Sequence, residues 1–275
     1  GGRISTPFEG GAGEPNTLGG YLLFTGLLTA GIAAYAPDLR KKAACLFLLA
    51  VMLFPFLFTQ SRASYAALAP GAFVLAMLSR KRSVGFAVVA LAFAGLLLAA
   101  PGPVRDRVAY TFTQPPHPGQ VQILGVRLDT STSARLQSWA QGLSAWTRHP
   151  MLGHGVTGYT FMDAQYVRVL VETGMAGLAA FLALLAAVFR MGAQRFKNAS
   201  DPVGKGLTAG FLAGAAALAV HSLGVNTFII VRIMEPFWFT AGLVAVLPGL
   251  ESEHPLAKPP QTQPAWPRRP ARRRN

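Results

Sequence analysis

Long, uninterrupted apolar runs constrain this chain more than any other feature. Of its 275 residues, 52% are hydrophobic and only 13% are charged, whereas a soluble domain carries about 25% charged residues. Because lipid offers the backbone no hydrogen-bond partners, runs of this kind predict helices, and we expect an all-α polytopic membrane protein. The seven predicted spans lie at residues 18–36, 43–58, 64–79, 83–100, 166–189, 206–226 and 228–248.

Basic residues cluster in alternate loops and thereby predict the side of the membrane on which each loop lies. Clusters follow the first, third and fifth spans, and more basic residues lie in the tail. Positive charge belongs on the cytoplasmic side of a membrane protein. We therefore expect residues 1–17, the 59–63 turn and the long loop between spans four and five on the extracytoplasmic side, and the tail in the cytoplasm.

Composition divides the chain into four parts. Residues 1–100 hold an outer loop and spans one to four, 101–165 form the long extracytoplasmic loop, 166–250 hold spans five to seven, and 251–275 form a disordered basic tail. Residue 1 is Gly rather than Met, so we expect a part of a longer protein, with further spans before it. Membrane orientation accounts for the net charge of +14, and nucleic acid is not an expected partner.

Two polar groups lie at the predicted outer ends of spans one to three. Asn16 follows Pro15 just before the first span, where it either caps the helix or contributes to a substrate site. Arg62 stands in a short outer turn, where positive charge does not serve orientation. A guanidinium group binds phosphate with a planar fork, so Arg62 is a candidate ligand of a lipid-linked pyrophosphate. The alternative is that Arg62 reaches towards lipid headgroups.

An amphipathic helix along the membrane surface is predicted at residues 133–148, where apolar residues recur at helical spacing. Arg135 lies near its positive N-terminus, where it would add to an anion site. Trp139 follows four residues later as an interface anchor or a sugar-binding platform. His154 lies in a glycine-flanked turn and is either a general acid or base or a polar surface residue.

The beginning of the fifth span carries three more ionisable candidates. Asp163 is a candidate general base for a hydroxyl group, with helix capping as the alternative. Arg168 and Glu172 are four residues apart and are expected on one helix face. They form either a structural ion pair, which we favour, or part of a substrate pocket.

The last two spans contribute weaker candidates. Arg232 and Glu235 are three residues apart in the outer half of the last span. We expect them to pair and to extend the same polar pocket. His221 and Asn226 close the sixth span on the same side.

Together these residues resemble the O-antigen ligase/polymerase superfamily of bacterial envelope glycosyltransferases. The similarity covers most of residues 1–248. The stretches that carry it are GEPN at 13–16, Ser61-Arg62, RLQSW at 135–139, HPMLGHG at 149–155, and Asp163 with Tyr166, Leu170, Glu172, Gly174 and Gly177.

The resemblance implies an enzyme of the bacterial cytoplasmic membrane that needs no metal, nucleotide or other cofactor. It would transfer or polymerise glycan from an undecaprenyl-pyrophosphate carrier onto a hydroxyl group of a glycan, lipid or protein at the outer face. Arg62 and Arg135 correspond to the family's pyrophosphate-binding arginines, and Asp163 or His154 would take the acceptor's proton. Asp163 stands where ligases often carry His, which favours a polymerase, or a relative with another acceptor, over a lipopolysaccharide ligase.

Two other classes of protein compete with an enzyme. A transporter also places polar residues inside its spans, but it predicts charges near the bilayer midplane and repeated halves. In this chain the charges gather at one face, and the sequence contains no internal repeat. A non-catalytic assembly or lipid-binding protein is the third possibility, and it would tolerate loss of Arg62 and Arg135.

Overall fold

The computed structural model describes residues 4–5, 13–87, 89–90, 102–123, 125–160 and 162–253. These ranges are mostly helical, as predicted, with one hairpin in which β1 (Gln122–Ile123) and β2 (Val126–Arg127) pair antiparallel. The helices are α1 (Pro15–Tyr35), α2 (Leu39–Phe58), α3 (Arg62–Leu78), α4 (Gly102–Thr113), α5 (Thr130–Trp146), α6 (Gln165–Asn198), α7 (Pro202–His221) and α8 (Val231–Glu253).

Within the described part of the chain, four helices are long and apolar enough to cross a membrane: α1, α2, α6 and α7. α3 is a shorter apolar helix of 17 residues. The predicted fourth span at 83–100 falls largely on 91–100, outside the described residues, as do most of the first loop and residues 254–275 of the predicted tail. The count of seven spans and the side on which the long loop lies stay predictions.

Local chemistry shifts several helix boundaries from their predicted positions. The Asp38 carboxylate accepts the Lys41 N–H at 2.7 Å, so α2 begins at Leu39 and includes the basic cluster that we expected in a loop. The helix predicted at 133–148 begins earlier, at Thr130, because Asp129 caps it. The span predicted at 206–226 ends at His221, where the chain turns towards a short 3₁₀ helix at Thr227–Ile229.

α7 is the central helix, and it packs closely against α1 and α3. Glycines allow the α1 and α7 backbones to approach each other. A Cβ atom added to Gly31 would lie 2.4 Å from the Gly210 backbone nitrogen, and one added to Gly206 would lie 2.8 Å from the Gly31 carbonyl oxygen. Small residues serve this purpose at helix crossings in membranes, where close van der Waals packing drives association.

Aromatic side chains fill the other side of α7. Phe24, Phe211 and Phe237, from α1, α7 and α8, are fully buried. Their ring centroids lie 5.5–6.4 Å apart, within the range of favourable aromatic contacts. This cluster joins α8 to the α1–α7 pair, and it fixes the relative positions of three helices that contribute residues near the candidate site.

α6 is interrupted at Gly174, where φ is 67° and ψ is −168°. The segment 149–155 lies against this break and replaces the lost helical hydrogen bonds. Its carbonyl groups accept from Met175 and Ala176 at 2.9 and 3.2 Å, and its N–H groups donate to carbonyl groups of α6 at 3.0 and 2.8 Å. A Cβ atom on Gly153 or Gly174 would lie 2.5 Å or 2.3 Å from backbone atoms across this contact. The two glycines therefore allow the end of the long loop to dock on α6.

Candidate functional site

The predicted site residues lie at one end of the helix bundle, where α1, α3 and α6 begin and α2 and α7 end; we call this the site end. Arg62 is the first residue of α3. Its Nη1 atom donates to Asp129 Oδ2 at 2.7 Å, and its Nη2 atom donates to Asp129 Oδ1 at 3.0 Å and to Ser131 Oγ at 2.6 Å. The guanidinium group that we predicted to bind pyrophosphate thus holds a carboxylate in a bidentate clamp.

Asp129 serves both this clamp and the start of α5. Its side chain is 4% exposed and also accepts the N–H groups of Ser131 and Thr132 at 3.1 and 3.2 Å. Burial by itself raises the pKa of Asp129, but hydrogen bonds from Arg62, Thr132 and Ser131 lower it more. The pKa of Asp129 therefore lies well below its usual range, and the group is ionised at neutral pH.

The second arginine, Arg135, faces Asp163 across an open gap. The Arg135 Nε atom lies 3.9 Å from Asp163 Oδ2, and the two side chains are 29% and 39% exposed. This distance is within the range of an ion pair but too long for a hydrogen bond. The structure thereby brings together two residues predicted to act in catalysis, 28 positions apart in the sequence, and leaves both accessible to a ligand.

The backbone around Asp163 is held on both sides. Trp139 donates its indole N–H to the Asp163 carbonyl oxygen at 2.8 Å, so one edge of this predicted sugar-binding platform is used to position the chain. Asn226 is buried and donates its Nδ2 to the Met162 carbonyl oxygen at 2.8 Å. Asp163 does not cap α6, whose N-cap is Ala164. The capping alternative for Asp163 is therefore wrong.

His154 is committed to the loop that docks on α6. Its Nε2 lies 3.0 Å from the Ala145 carbonyl oxygen, and since a carbonyl only accepts, this nitrogen carries the proton. The ring also contacts His149 and Tyr159, with centroids 4.8 and 5.5 Å away. This nitrogen is therefore the donor to the backbone of α5, whereas the Asp163 carboxylate faces Arg135 with 39% of its side chain exposed.

Two ion pairs predicted from helical spacing are present. Arg168 Nε lies 2.9 Å from Glu172 Oε1, and both side chains are largely buried. Arg232 lies 3.8 Å from Glu235, and both of these side chains are more than half exposed. The first pair stands just before the break at Gly174 and fits the structural role that we favoured. The second is a long surface contact at the beginning of α8.

Asn16 joins α1 to α3. It accepts a hydrogen bond from the Ser61 hydroxyl at 2.8 Å and donates to Glu14 at 2.8 Å. The predicted alternative, that Asn16 caps the first helix, is wrong because α1 begins at Pro15 and its N-cap is Glu14. Asn16 therefore supports the α2–α3 turn that precedes Arg62.

In the described residues, no group of three or more His, Cys, Asp and Glu side chains is arranged to hold a metal ion. The charged groups of the site are instead two arginines and two aspartates. Such a set can bind an anionic group at an arginine and accept a proton at a carboxylate.

A family model described as O-antigen ligase matches residues 44–182, half of the chain. The chain belongs to the O-antigen ligase family. It is therefore an integral membrane protein of a family that transfers glycan in cell-envelope polysaccharide synthesis. No curated protein sequence matches the chain.

The O-antigen ligase match contains Arg62, Asp129, Arg135 and Asp163, whereas Asn16, His221 and Arg232 lie outside it. Asp129 is the residue that sequence analysis missed. The signal was present in Asp-Thr-Ser-Thr at 129–132, since an Asp before a run of hydroxyl residues is a typical helix N-cap. The sequence carries no comparable signal that Arg62, 67 residues away, would bind it.

Proposed function

We propose that this protein transfers or polymerises glycan at the extracytoplasmic face of the bacterial cytoplasmic membrane, using an undecaprenyl-pyrophosphate-linked donor and a hydroxyl acceptor. The observation that carries the proposal is the open Arg135–Asp163 pair. An accessible guanidinium group and an accessible carboxylate stand 3.9 Å apart on supports that hydrogen bonds hold in place. In the complex, a phosphate oxygen would bind the guanidinium group and an acceptor hydroxyl would bind the carboxylate, both from the exposed side of the pair.

Each residue of the pair has a distinct role in the proposed reaction. The acceptor oxygen attacks the anomeric carbon of the donor sugar, the bond from that carbon to the pyrophosphate oxygen breaks, and lipid pyrophosphate leaves. Asp163 takes the proton of the acceptor hydroxyl. Arg135 stabilises the charge that grows on the leaving pyrophosphate. No redox step or further reactant is needed.

Arg62 has a revised role in this proposal. Because its guanidinium group binds Asp129 and Ser131, it holds the beginning of α5 and thereby the position of Arg135. Glu172, Arg168 and Arg232 are supporting residues rather than pyrophosphate ligands, and Trp139 positions Asp163.

The test uses the full-length protein in lipid vesicles with an undecaprenyl-pyrophosphate oligosaccharide and a glycan acceptor. We expect longer glycan together with released lipid pyrophosphate, and we expect both to be lost in Arg135→Ala. Arg148→Ala is the matched control, since Arg148 is an exposed arginine near the other end of α5. Movement of solute across the vesicles without release of lipid pyrophosphate would favour a transporter and overturn the proposal.

A further inference from the structure

His221 is a buried titratable group that the proposed mechanism does not use. It is the last residue of α7 and is 1% exposed. Both ring nitrogens have partners. Nε2 lies 3.1 Å from Ser64 Oγ, and Nδ1 lies 2.8 Å from Thr227 Oγ1. The imidazole thus connects α3 to the 3₁₀ helix that follows α7.

His221 is one end of a chain of hydrogen bonds that runs through Ser64, Ser61 and Asn16 to the Glu14 carboxylate. The carboxylate sets the direction of each hydrogen bond in this chain. Glu14 only accepts, so Asn16 Nδ2 donates to it, and Asn16 Oδ1 accepts the Ser61 hydroxyl. Ser61 Oγ has then used its one proton and accepts from Ser64 Oγ at 2.9 Å. Ser64 Oγ must in turn accept from His221 Nε2. Neutral His221 therefore carries its proton on Nε2, and its Nδ1 accepts from Thr227.

The Nε2 contact supports the arginine side of the site. Ser64 donates its backbone N–H at 3.3 Å and its hydroxyl to Ser61, which caps α3. Arg62 is the residue directly after this cap. The cap therefore fixes the start of the helix from which Arg62 clamps Asp129, and this clamp begins the helix that carries Arg135.

The Nδ1 contact supports the aspartate side of the site. Thr227 follows Asn226, whose side chain contacts both neighbours of Asp163 in the sequence. Asn226 Nδ2 donates to the Met162 carbonyl oxygen at 2.8 Å, and Asn226 Oδ1 lies 3.5 Å from the Ala164 backbone nitrogen. The next residue, Phe228, donates its N–H to Gln165 Oε1 at 3.0 Å. One imidazole thus connects the supports of both reacting groups.

Helix α1 leaves space for this arrangement at two glycines. A Cβ atom on Gly19 would lie 2.3 Å from Ser64 Oγ, and one on Gly20 would lie 3.2 Å from His221 Cε1. A side chain at Gly19 would displace Ser64, and one at Gly20 would press on His221 and on Ile233, whose Cδ1 lies 2.6 Å from the added Cβ atom. The network therefore occupies space that is enclosed by α1, α3 and α7.

We propose that His221 is a positioning residue that sets the separation of Arg135 and Asp163 through Ser64 on one side and Thr227 on the other. The inference rests on the proposed function for the roles of Arg135 and Asp163. The arrangement itself can be tested without any assay of glycan transfer.

Hydrogen exchange of the full-length protein in lipid nanodiscs tests whether His221 supports both segments, through Ser64 and through Thr227. His221→Leu removes both hydrogen bonds at similar volume, and we expect about fivefold faster exchange in residues 130–134 and also in 162–167, because each segment loses a support. His221→Gln keeps an N–H donor for Ser64 and an oxygen acceptor for Thr227, and it should restore the slower exchange.

Two further variants each remove one of the two hydrogen-bond partners of His221. They remain informative if His221→Leu does not fold. Ser64→Ala should speed exchange in 130–134 only, and Thr227→Val in 162–167 only. Thr240→Val is the control, because Thr240 is a buried hydroxyl that donates within α8, to the Pro236 carbonyl oxygen. Faster exchange in neither segment, or an even increase over α6, α7 and α8, would overturn the proposal.

The kinetics of glycan transfer provide a second, independent test of the proposal. We expect His221→Leu to lower kcat about 10- to 100-fold, since small misplacement of reacting groups has effects of this size, with the donor KM nearly unchanged and with recovery in His221→Gln. A normal kcat in His221→Leu contradicts the positioning role. If the wild-type protein transfers no glycan, the proposed function fails, while the exchange pattern still decides whether His221 connects the two supports.

Discussion

The site end contains two arginine–aspartate pairs that share one chemistry and differ in geometry. Arg62 and Asp129 meet at 2.7 Å in a bidentate clamp, with the Asp129 side chain only 4% exposed. Arg135 and Asp163 stand 3.9 Å apart, and the Asp163 side chain is 39% exposed. The closed pair uses its hydrogen-bonding capacity inside the protein, whereas the open pair keeps its capacity for a ligand.

The contacts around the two pairs indicate that the position of the open pair depends on the closed pair. Opposite charges 3.9 Å apart attract each other, and they stay short of a hydrogen bond when the backbones that carry them are held apart. Here the clamp fixes the start of α5, while Trp139 and Asn226 fix the backbone on either side of Asp163. Separate supports of this kind preorganise charged groups for a reaction.

The largest expected effect comes from the carboxylate of the open pair. Asp163→Asn keeps the shape of the side chain but cannot accept a proton, so we expect kcat for glycan transfer to fall about 10²- to 10⁴-fold, the usual contribution of a general base. Release of lipid pyrophosphate in vesicles measures this change. Asp106→Asn, at an exposed position in α4, is the control. A loss of less than about threefold in Asp163→Asn removes the base assignment.

Arg135→Ala should have the next largest effect. Without a guanidinium group beside the leaving pyrophosphate, kcat/KM for the donor should fall about 10²- to 10³-fold. Arg135→Lys should recover part of the activity, because an ammonium group supplies the charge without the planar fork. If Arg62→Ala abolishes transfer in a protein whose α5 keeps its wild-type hydrogen exchange, while Arg135→Ala does not, the roles assigned to the two arginines are reversed.

The Arg62–Asp129 pair should raise the free energy of unfolding and make that free energy depend on pH. Asp129→Asn keeps a good N-cap but loses the carboxylate. We expect it to lower the free energy of unfolding by about 2–3 kcal/mol, somewhat less than the loss of a fully buried pair, because 21% of the Arg62 side chain is exposed. Denaturation of the purified protein at pH 7 measures this difference.

The sign of the pH effect follows from the lowered pKa of Asp129. A carboxyl group with a folded pKa below its unfolded value of about 3.9 stabilises the fold fully above that value and loses this contribution as the pH falls. The advantage of wild type over Asp129→Asn should therefore be complete at pH 7 and shrink below about pH 4. An advantage that is equal at pH 7 and pH 3 contradicts a charged clamp.

The smallest effect is expected at Arg232. Its pair with Glu235 is long, at 3.8 Å, and both side chains are more than half exposed. Such pairs contribute less than about 1 kcal/mol, so Arg232→Ala should leave transfer within about twofold of wild type. Loss of activity beyond tenfold would restore Arg232 to the substrate-binding residues that the sequence suggested.

Helical spacing and local caps explain most of what the sequence predicted well. The apolar runs indicated the helices, and the four-residue spacing of Arg168 and Glu172 predicted their ion pair, because both properties depend on residues within one or two turns. Where a cap decided a boundary, as Asp38 does for α2 and Asp129 for α5, the predicted start was several residues late. The cap residues are visible in the sequence, but hydropathy does not mark them because they are polar.

The sequence alone predicts a set of apolar helices with polar candidates gathered at one end, and it makes Arg135 and Asp163 candidate site residues. Which arginine is closed by a carboxylate and which stays open depends instead on long-range contacts. The clamp joins residues 67 positions apart, and His221 meets Ser64 across 157 positions. The hydrophobic periodicity of a helix relates only residues within a few turns of each other. Contacts over such long separations form because the helices pack together, as α1 and α7 do at their glycines.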